Sequence, residues 1–299
     1  MRRIAGTGAS EFSMVTSQTS HSEATTHPDA ADFYLATLRW LIEQKILTRD
    51  SRLLVVCGAE LDRDVLREVG FRDVTISNLE TDADTHAYAP FARATKDVEA
   101  LTCRDDEYDF CIAHNGLHHC MSPHRGLLEM VRVASKGVIV FEPRDSFLTR
   151  CGVRLQFGQD YETAAVAANG GVAGGVRNTA IPNYVYRWTE REIEKTISSF
   201  CPWGRSRFTY QYALRIPWGR LQMMNRPVFL WLVRLLQPAL RLLFRCFPKQ
   251  ANGFAFVVLK PQVPNDLQSW LHVDRDGGVG LNREWLAAQY DASKIGLPN

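Results

Sequence analysis

Residues 108–143 read YDFCIAHNGLHHCMSPHRGLLEMVRVASKGVIVFEP. Two short apolar runs, Tyr108-Asp109-Phe110-Cys111-Ile112-Ala113 and Val138-Ile139-Val140-Phe141, flank Pro123 to Ala134, which reads as a helix. Strand, helix and strand in that order make a βαβ unit on a parallel sheet. Upstream, Leu53-Leu54-Val55-Val56-Cys57 is another buried strand, ending at Gly58. Asp62 to Val69 follows as a helix closed by Gly70. Val74-Thr75-Ile76 is a strand that ends at Asn78-Leu79-Glu80, and a weak strand lies near Arg93–Lys96. Asp29 is placed to cap a further helix over about 30–46. Right-handed crossovers put helices on both faces of such a sheet. Ligands then sit beyond the carboxyl ends of the strands, here Cys57-Gly58, Glu80, His114-Asn115 and Glu142.

The remainder of the chain changes character. Residues 167–178 are a loop carrying Gly170, Gly171, Gly174 and Gly175. Thr189 with Glu192 has the spacing of a capping box and opens a helix to Phe200. Phe208 to Leu214 and Phe254 to Leu259 read as strands, and a short helix is expected near Asn282–Tyr290 in a polar tail. Residues 1–27, rich in Ser and Thr with little to bury, read as a disordered leader. The resulting organisation is a leader at 1–27, a domain at 28–261 and a tail at 262–299.

Chemistry concentrates in three clusters. Glu80, at the end of a strand and about 22 residues after the turn at Gly58, has the position of a carboxylate that accepts a ribose diol. The alternative for Glu80 is a solvated loop acid. The second cluster runs Asp97-Val98-Glu99-Ala100-Leu101, Tyr108-Asp109-Phe110, Leu117-His118-His119, Leu128-Glu129-Met130-Val131-Arg132-Val133, Lys136-Gly137 and Phe141-Glu142-Pro143. That order resembles the class I S-adenosylmethionine-dependent methyltransferases of the small-molecule and lipid branch. Their pattern is D-A-E-x-L, F-D-x-V, L-H-H, L-x-E-x-x-R-V-L-x-P-G-G and a strand ending E-P.

The resemblance covers about residues 50–145 and implies an α/β fold: a Rossmann-like seven-stranded sheet, mostly parallel with its last strand antiparallel, helices on both faces, and a helical insertion between the last two strands. It implies S-adenosyl-L-methionine as cofactor and methyl transfer to a small-molecule or lipid-linked acceptor as the activity. By position in the motif, Glu80 would hold the ribose hydroxyls and Asp97, with the Val98 backbone, the adenine. Cys57, Gly58 and Ala59, with His114, Asn115 and Gly116, would line the methionine side. The first loop departs from the family's G-x-G-x-G: Val55 stands where an acid is usual, and only Gly58 remains of the glycines. Glu60 or Asp62 is then the candidate for the missing carboxylate toward the cofactor's amino group. A non-catalytic member of the fold is the main rival reading, and a nicotinamide enzyme, lacking G-x-G-x-x-G, a weaker one.

His114, His118, His119 and His124, with Cys111 and Cys120, have the composition of a metal cluster. All straddle one strand-to-helix turn, where alternation sends neighbours to opposite faces, so no metal is expected. His118 or His119 is instead the candidate general base, needed where the acceptor is an unactivated hydroxyl.

The third cluster is the apolar, basic segment 215–250, within an insertion of about 39 residues between the last two strands. From Lys195 to Asn265 there is no Asp or Glu but 11 of the 35 Lys and Arg, leaving −9 on the rest of a chain whose net charge is +2. On a helix over Pro227 to Phe247, Arg226, Arg234, Gln237, Arg241 and Arg245 fall within an arc of about 100°. Phe229, Leu232, Leu236, Leu240 and Leu243 lie opposite. Three internal arginines, at roughly 2.5 kcal/mol or more each, argue against spanning a membrane, and Pro238 is expected to kink or break the helix. The pattern fits a helix lying on an anionic membrane surface. Internal packing as an acceptor lid and an oligomer contact are the alternatives. Nucleic acid is not expected, because aliphatic residues interrupt the arginines.

The chain is 45% hydrophobic and 23% charged, values that exclude collagen-like, coiled-coil and wholly disordered classes. Seven cysteines without a CxxC pair point to a reducing compartment. A cytoplasmic protein, peripheral at the inner membrane face, is the expectation.

Overall fold

The computed structural model describes residues 28–80, 85–224 and 227–291, so the expected leader at 1–27 and the end of the tail lie outside the described residues. Helix α1 spans Pro28–Glu43 and therefore starts before Asp29. Strand β1 (Leu53–Val56) is buried at every position, as a central strand covered on both faces must be. Helix α2 (Glu60–Val69) buries Val65, Leu66 and Val69 and stops at Gly70, whose φ of 88° a side chain would strain. Strands β2 (Val74–Asn78) and β3 (Ala92–Thr95) follow, then β4 (Tyr108–His114). Ser122 caps helix α3 (Pro123–Val133) by accepting from the Arg125 N–H.

Strand β5 (Ala134–Pro143) begins directly at the end of α3, four residues earlier than the apolar run suggests. Lys136-Gly137 is therefore strand and not turn. The glycine lets the neighbouring backbone approach: a Cβ on Gly137 would lie 2.2 Å from the Val258 carbonyl oxygen. Two short helices that apolar periodicity does not reveal, α4 (Phe147–Arg154) and α5 (Thr163–Ala168), precede α6 (Glu190–Phe200). Thr189 does cap α6, but Glu192 takes the Tyr186 hydroxyl instead of closing the capping box. Strand β6 (Arg207–Ala213) leads into helices α7 (Trp218–Met223) and α8 (Pro227–Cys246), and β7 (Gly253–Leu259) returns to the sheet. A hairpin of β8 (Leu271–Val273) and β9 (Val279–Leu281) and helix α9 (Arg283–Gln289) end the described chain.

The seven strands lie in the order β3-β2-β1-β4-β5-β7-β6, with β7 antiparallel to both neighbours. Two cores sandwich the sheet. On one face Leu54, Cys111, Val138 and Phe256 pack under α3 and α6; on the other Leu53, Ile112, Ile139 and Val257 pack under α1 and α2. This is the Rossmann-like methyltransferase sheet that the motifs imply, with a helical insertion between the last two strands. Both ends of that insertion meet the carboxyl edge of the sheet, since Gly253 pairs with Pro143 and with Ala213.

Pro238 does not break α8, which continues as one helix from Pro227 to Cys246. Only Val233 is fully buried, and Phe229, Gln237, Leu240 and Phe244 are half-buried beside it. The expected apolar face is thus divided. Phe229 and Leu240 turn toward the protein, while Leu232 (38%) and Leu236 (41%) stay exposed.

Candidate active site

The carboxyl ends of β1, β2 and β4 surround a cavity of about 270 Å³. Of the residues expected there, Cys57, Ala59, Glu80, Asp97, Val98, His114, Asn115 and Gly116 line it. Gly58 does not; its N–H donates to Ser77 O at 2.8 Å, and a Cβ would meet Ile76 at 2.6 Å. Its role is to seat the β1 turn on β2. The two turns at the cavity mouth are strained: Cys57 and Asn115 have φ of 53° and 52°. They also touch, because a Cβ on Gly116 would lie 2.3 Å from Cys57 Cβ. Gly116→Ala should therefore push the two turns apart and lower the melting temperature; a variant that melts like wild type would show the contact to be slack.

Asp62, at the third position of α2, turns inward, whereas Glu60 at the first is exposed. Its Oδ2 accepts the Ala59 N–H at 2.9 Å; its buried Oδ1 makes no hydrogen bond of ordinary geometry among the described residues, although the buried Tyr34 hydroxyl is close enough to influence the carboxyl. Burial raises its carboxyl to about 6, against the pull of the Ala59 N–H and the Tyr34 hydroxyl. Asp62 also lines the cavity, and a buried carboxylate at that wall is placed to receive a cationic ligand group.

The Gly-rich loop closes over the far side of the cavity. Arg177 donates to Asp97 Oδ2 at 2.9 Å and to Glu99 Oε2 at 3.1 Å, and Asn178 Nδ2 donates to Glu80 Oε1 at 2.7 Å. Both residues hold left-handed backbone, with φ of 48° and 57°. The Glu99 N–H and Arg177 keep Asp97 below the usual carboxylate range, overriding its partial burial.

His114 stacks on Tyr34 with ring centroids 4.7 Å apart, and burial with nearby Arg215 pushes it down to about 3, so it is neutral. The Asn115 amide links it to Arg215, the residue through which the insertion leaves β6. The two candidate bases separate. His118 is buried, with Nδ1 2.6 Å from Glu142 and Nε2 3.3 Å from Glu162. Burial opposes protonation, but the two carboxylates prevail and carry it to about 10. A histidine with both nitrogens engaged and no wall on the cavity is not a free base. His119 does line the cavity, and burial beside His118 lowers it. These neighbours do not alternate between faces, because Leu117–His119 is a 3₁₀ turn and not a strand; their rings lie 4.5 Å apart. His124 faces Glu192 and Cys111 is in the core, so neither joins them.

A family model described as a methyltransferase domain matches residues 53–141. Residues 53–141 are a class I S-adenosylmethionine-dependent methyltransferase domain. No curated protein matches the sequence. Among solved structures, the chain is similar to a SAM-dependent methyltransferase of Methanosarcina mazei at 14% identity and TM-score 0.43, over 74% of this chain and 97% of that one. It is similar to magnesium protoporphyrin IX methyltransferase of Synechocystis PCC 6803, solved with bound SAH, at 13% and 0.42, over 77% and 81%. A third is a plantazolicin methyltransferase, solved with SAH and a triazolic desmethylPZN analog, at 12% and 0.48, over 81% and 88%.

Sequence reasoning about this methyltransferase domain left Asp62 undecided against Glu60 and missed Arg177, Asn178, Glu162 and Arg215 altogether. The last four come from outside the matched residues. The loop glycines were the one signal that could have pointed to Arg177 and Asn178. In the aromatic run Tyr184-Val185-Tyr186-Arg187-Trp188, which precedes α6, Trp188 is fully buried in the core.

Proposed function

We propose that this chain moves the methyl group of S-adenosylmethionine to an oxygen of a lipid-linked or amphipathic acceptor at an anionic membrane surface, on the cytoplasmic side. The observation that carries this reading is α8. It belongs to the insertion rooted at the carboxyl edge of the sheet, whose Arg215 bonds the cavity-lining Asn115, and presents Val228, Trp231, Leu235 and Leu242 at 59–78% exposure. Arg234, Arg241 and Arg245 are exposed along an adjoining stripe. It is long and apolar enough to cross a membrane by length and composition, with 6% of its most apolar window buried. The three arginines and the packed stripe through Val233 favour a helix lying in the interface.

The cavity residues fit the cofactor. Asp62 would take its ammonium, Glu80 the ribose hydroxyls, and Asp97 with the Val98 N–H the adenine, while Cys57, Ala59, Asn115 and Gly116 form the wall. When bound, the cofactor supplies a methyl group on a charged sulfonium. The chain's task is then to hold the acceptor oxygen in line and exclude water, which can provide much of the acceleration. His119 is the one expected catalytic histidine placed at that space.

The membrane arm is tested with vesicles. The protein should sediment with vesicles containing anionic phospholipid and be released as salt rises, each arginine contributing about 1 kcal/mol near the surface, screened over about 10 Å at 0.1 M salt. R234Q/R241Q/R245Q should release most of the bound protein with cofactor affinity unchanged. Wild-type protein that stays in the supernatant at low salt ends this reading. A second reading, a non-catalytic member of the fold, is favoured by one observation: Arg177 and Asn178 already occupy the Asp97 and Glu80 carboxylates.

A further inference from the structure

His118, His119 and Glu162 come from two segments that the sequence separates by more than 40 residues, yet they converge on one point. One ring nitrogen of His118, one of His119 and a Glu162 carboxylate oxygen all lie within 4.8 Å of one another. His118 Nε2 and His119 Nε2 are 3.3 and 3.5 Å from the same Glu162 oxygen. Ligand atoms bound to one ion at about 2.0–2.1 Å in tetrahedral geometry stand about 3.4 Å apart. We propose that this cluster is a binding site for a divalent transition metal of the zinc type, with an open coordination position.

The surrounding contacts are those such a site requires. The carboxylate of Glu142 lies 2.6 Å from His118 Nδ1, and the Gly175 carbonyl 3.3 Å from His119 Nδ1. Each ring can therefore donate its Nδ1 proton outward and present Nε2 as a ligand, the arrangement that fixes tautomer and orientation in metal-binding histidines. Glu142 is itself held, because its other oxygen accepts the Leu117 N–H at 2.7 Å. Asn183 Nδ2 donates to Glu162 Oε2 at 3.2 Å and to the His118 carbonyl, tying the two segments together. Two imidazoles and one carboxylate suit zinc, cobalt or ferrous iron and not magnesium or calcium, which take oxygen ligands. Three protein ligands leave a position free, as in catalytic sites.

The site does not depend on the methyl-transfer reading, but it refines it. His119 also lines the cavity, so a metal held there would border the acceptor's space, and His119 would act through the metal, not as a free base.

The test is titration of the full chain, stripped with EDTA and dialysed, with cobalt(II) alone. One equivalent should bind with visible d–d bands of a four- or five-coordinate ion and be displaced by zinc. The free thiols give a built-in control, since cobalt bound at cysteine would show thiolate charge transfer in the near ultraviolet. H119A and E162Q should each weaken cobalt binding at least 100-fold, and E142Q, which loosens His118, about 10–100-fold. Absence of stoichiometric binding by wild type overturns the proposal even if a variant fails to fold. So do thiolate bands, or affinity unchanged in both H119A and E162Q.

Discussion

Asp62→Asn should weaken S-adenosylhomocysteine binding about 10–100-fold while leaving the fold as stable as wild type or more so. The affinity loss follows from the Asp62 carboxylate at the cavity wall: a hydrogen bond between charged groups is worth about 1.5–3 kcal/mol, and an amide cannot replace the carboxylate toward an ammonium. The stability follows from the same burial. The Asp62 carboxyl titrates at about 6 in the folded protein against 3.8 in a free chain. The folded state thus binds this proton more tightly than the unfolded one. Stability is gained as pH falls through 6 toward 4, and above 6 the buried charge destabilises the fold by on the order of 3 kcal/mol. Asparagine carries no charge at any pH, and its Oδ1 can keep the Ala59 N–H. Function and stability are therefore opposed at this residue, as expected of a site held ready for a ligand.

The pH dependence of binding gives a second readout. Wild-type affinity should be flat above about pH 7 and fall about tenfold per unit below 6, as Asp62 takes up its proton. The asparagine variant should lack that fall. Calorimetric titration between pH 5 and 8, with thermal melts of both proteins, measures both effects. Equal affinities in the two proteins would remove Asp62 from the ligand site.

The central strands β1, β4 and β5 were legible because each carries a short apolar run, and burial on both faces of a parallel sheet leaves no other pattern. What was hidden depended on geometry that spacing does not encode. Glu60 and Asp62 are equivalent as letters; only the direction of successive side chains around α2 sends one to solvent and the other into the cavity. His118 and His119 looked divergent because a strand rule was applied to a 3₁₀ turn. Glu162 lies in a segment whose short helices, α4 and α5, bury almost nothing and so leave no apolar period to detect. Pro238 was expected to break α8, yet the helix passes through it. Its partner in sequence terms, the arginine stripe, was visible, but which apolar residues face the protein was set by the contact at Val233.

Exchanging Arg177 and Asn178 together for glycine should tighten S-adenosylhomocysteine binding about fivefold to tenfold. Both residues hold left-handed backbone, which glycine adopts without strain, so the double change removes side chains while keeping the loop's path available. In the structure those side chains occupy the Asp97 and Glu80 oxygens that the cofactor's adenine and ribose would need. The Arg177–Asp97 pair is partly exposed, so it is worth at most about 1 kcal/mol. The Asn178 bond adds about 0.5–1.5 kcal/mol. Displacing both is a charge on cofactor binding that the variant would not carry. Weaker binding by the variant would instead make the loop a cover that contributes contacts to the bound ligand. Binding by the variant alone would show a site closed by its own loop. Absence of binding in both would leave the non-catalytic reading, because neither the plug nor its removal would then matter to the cofactor.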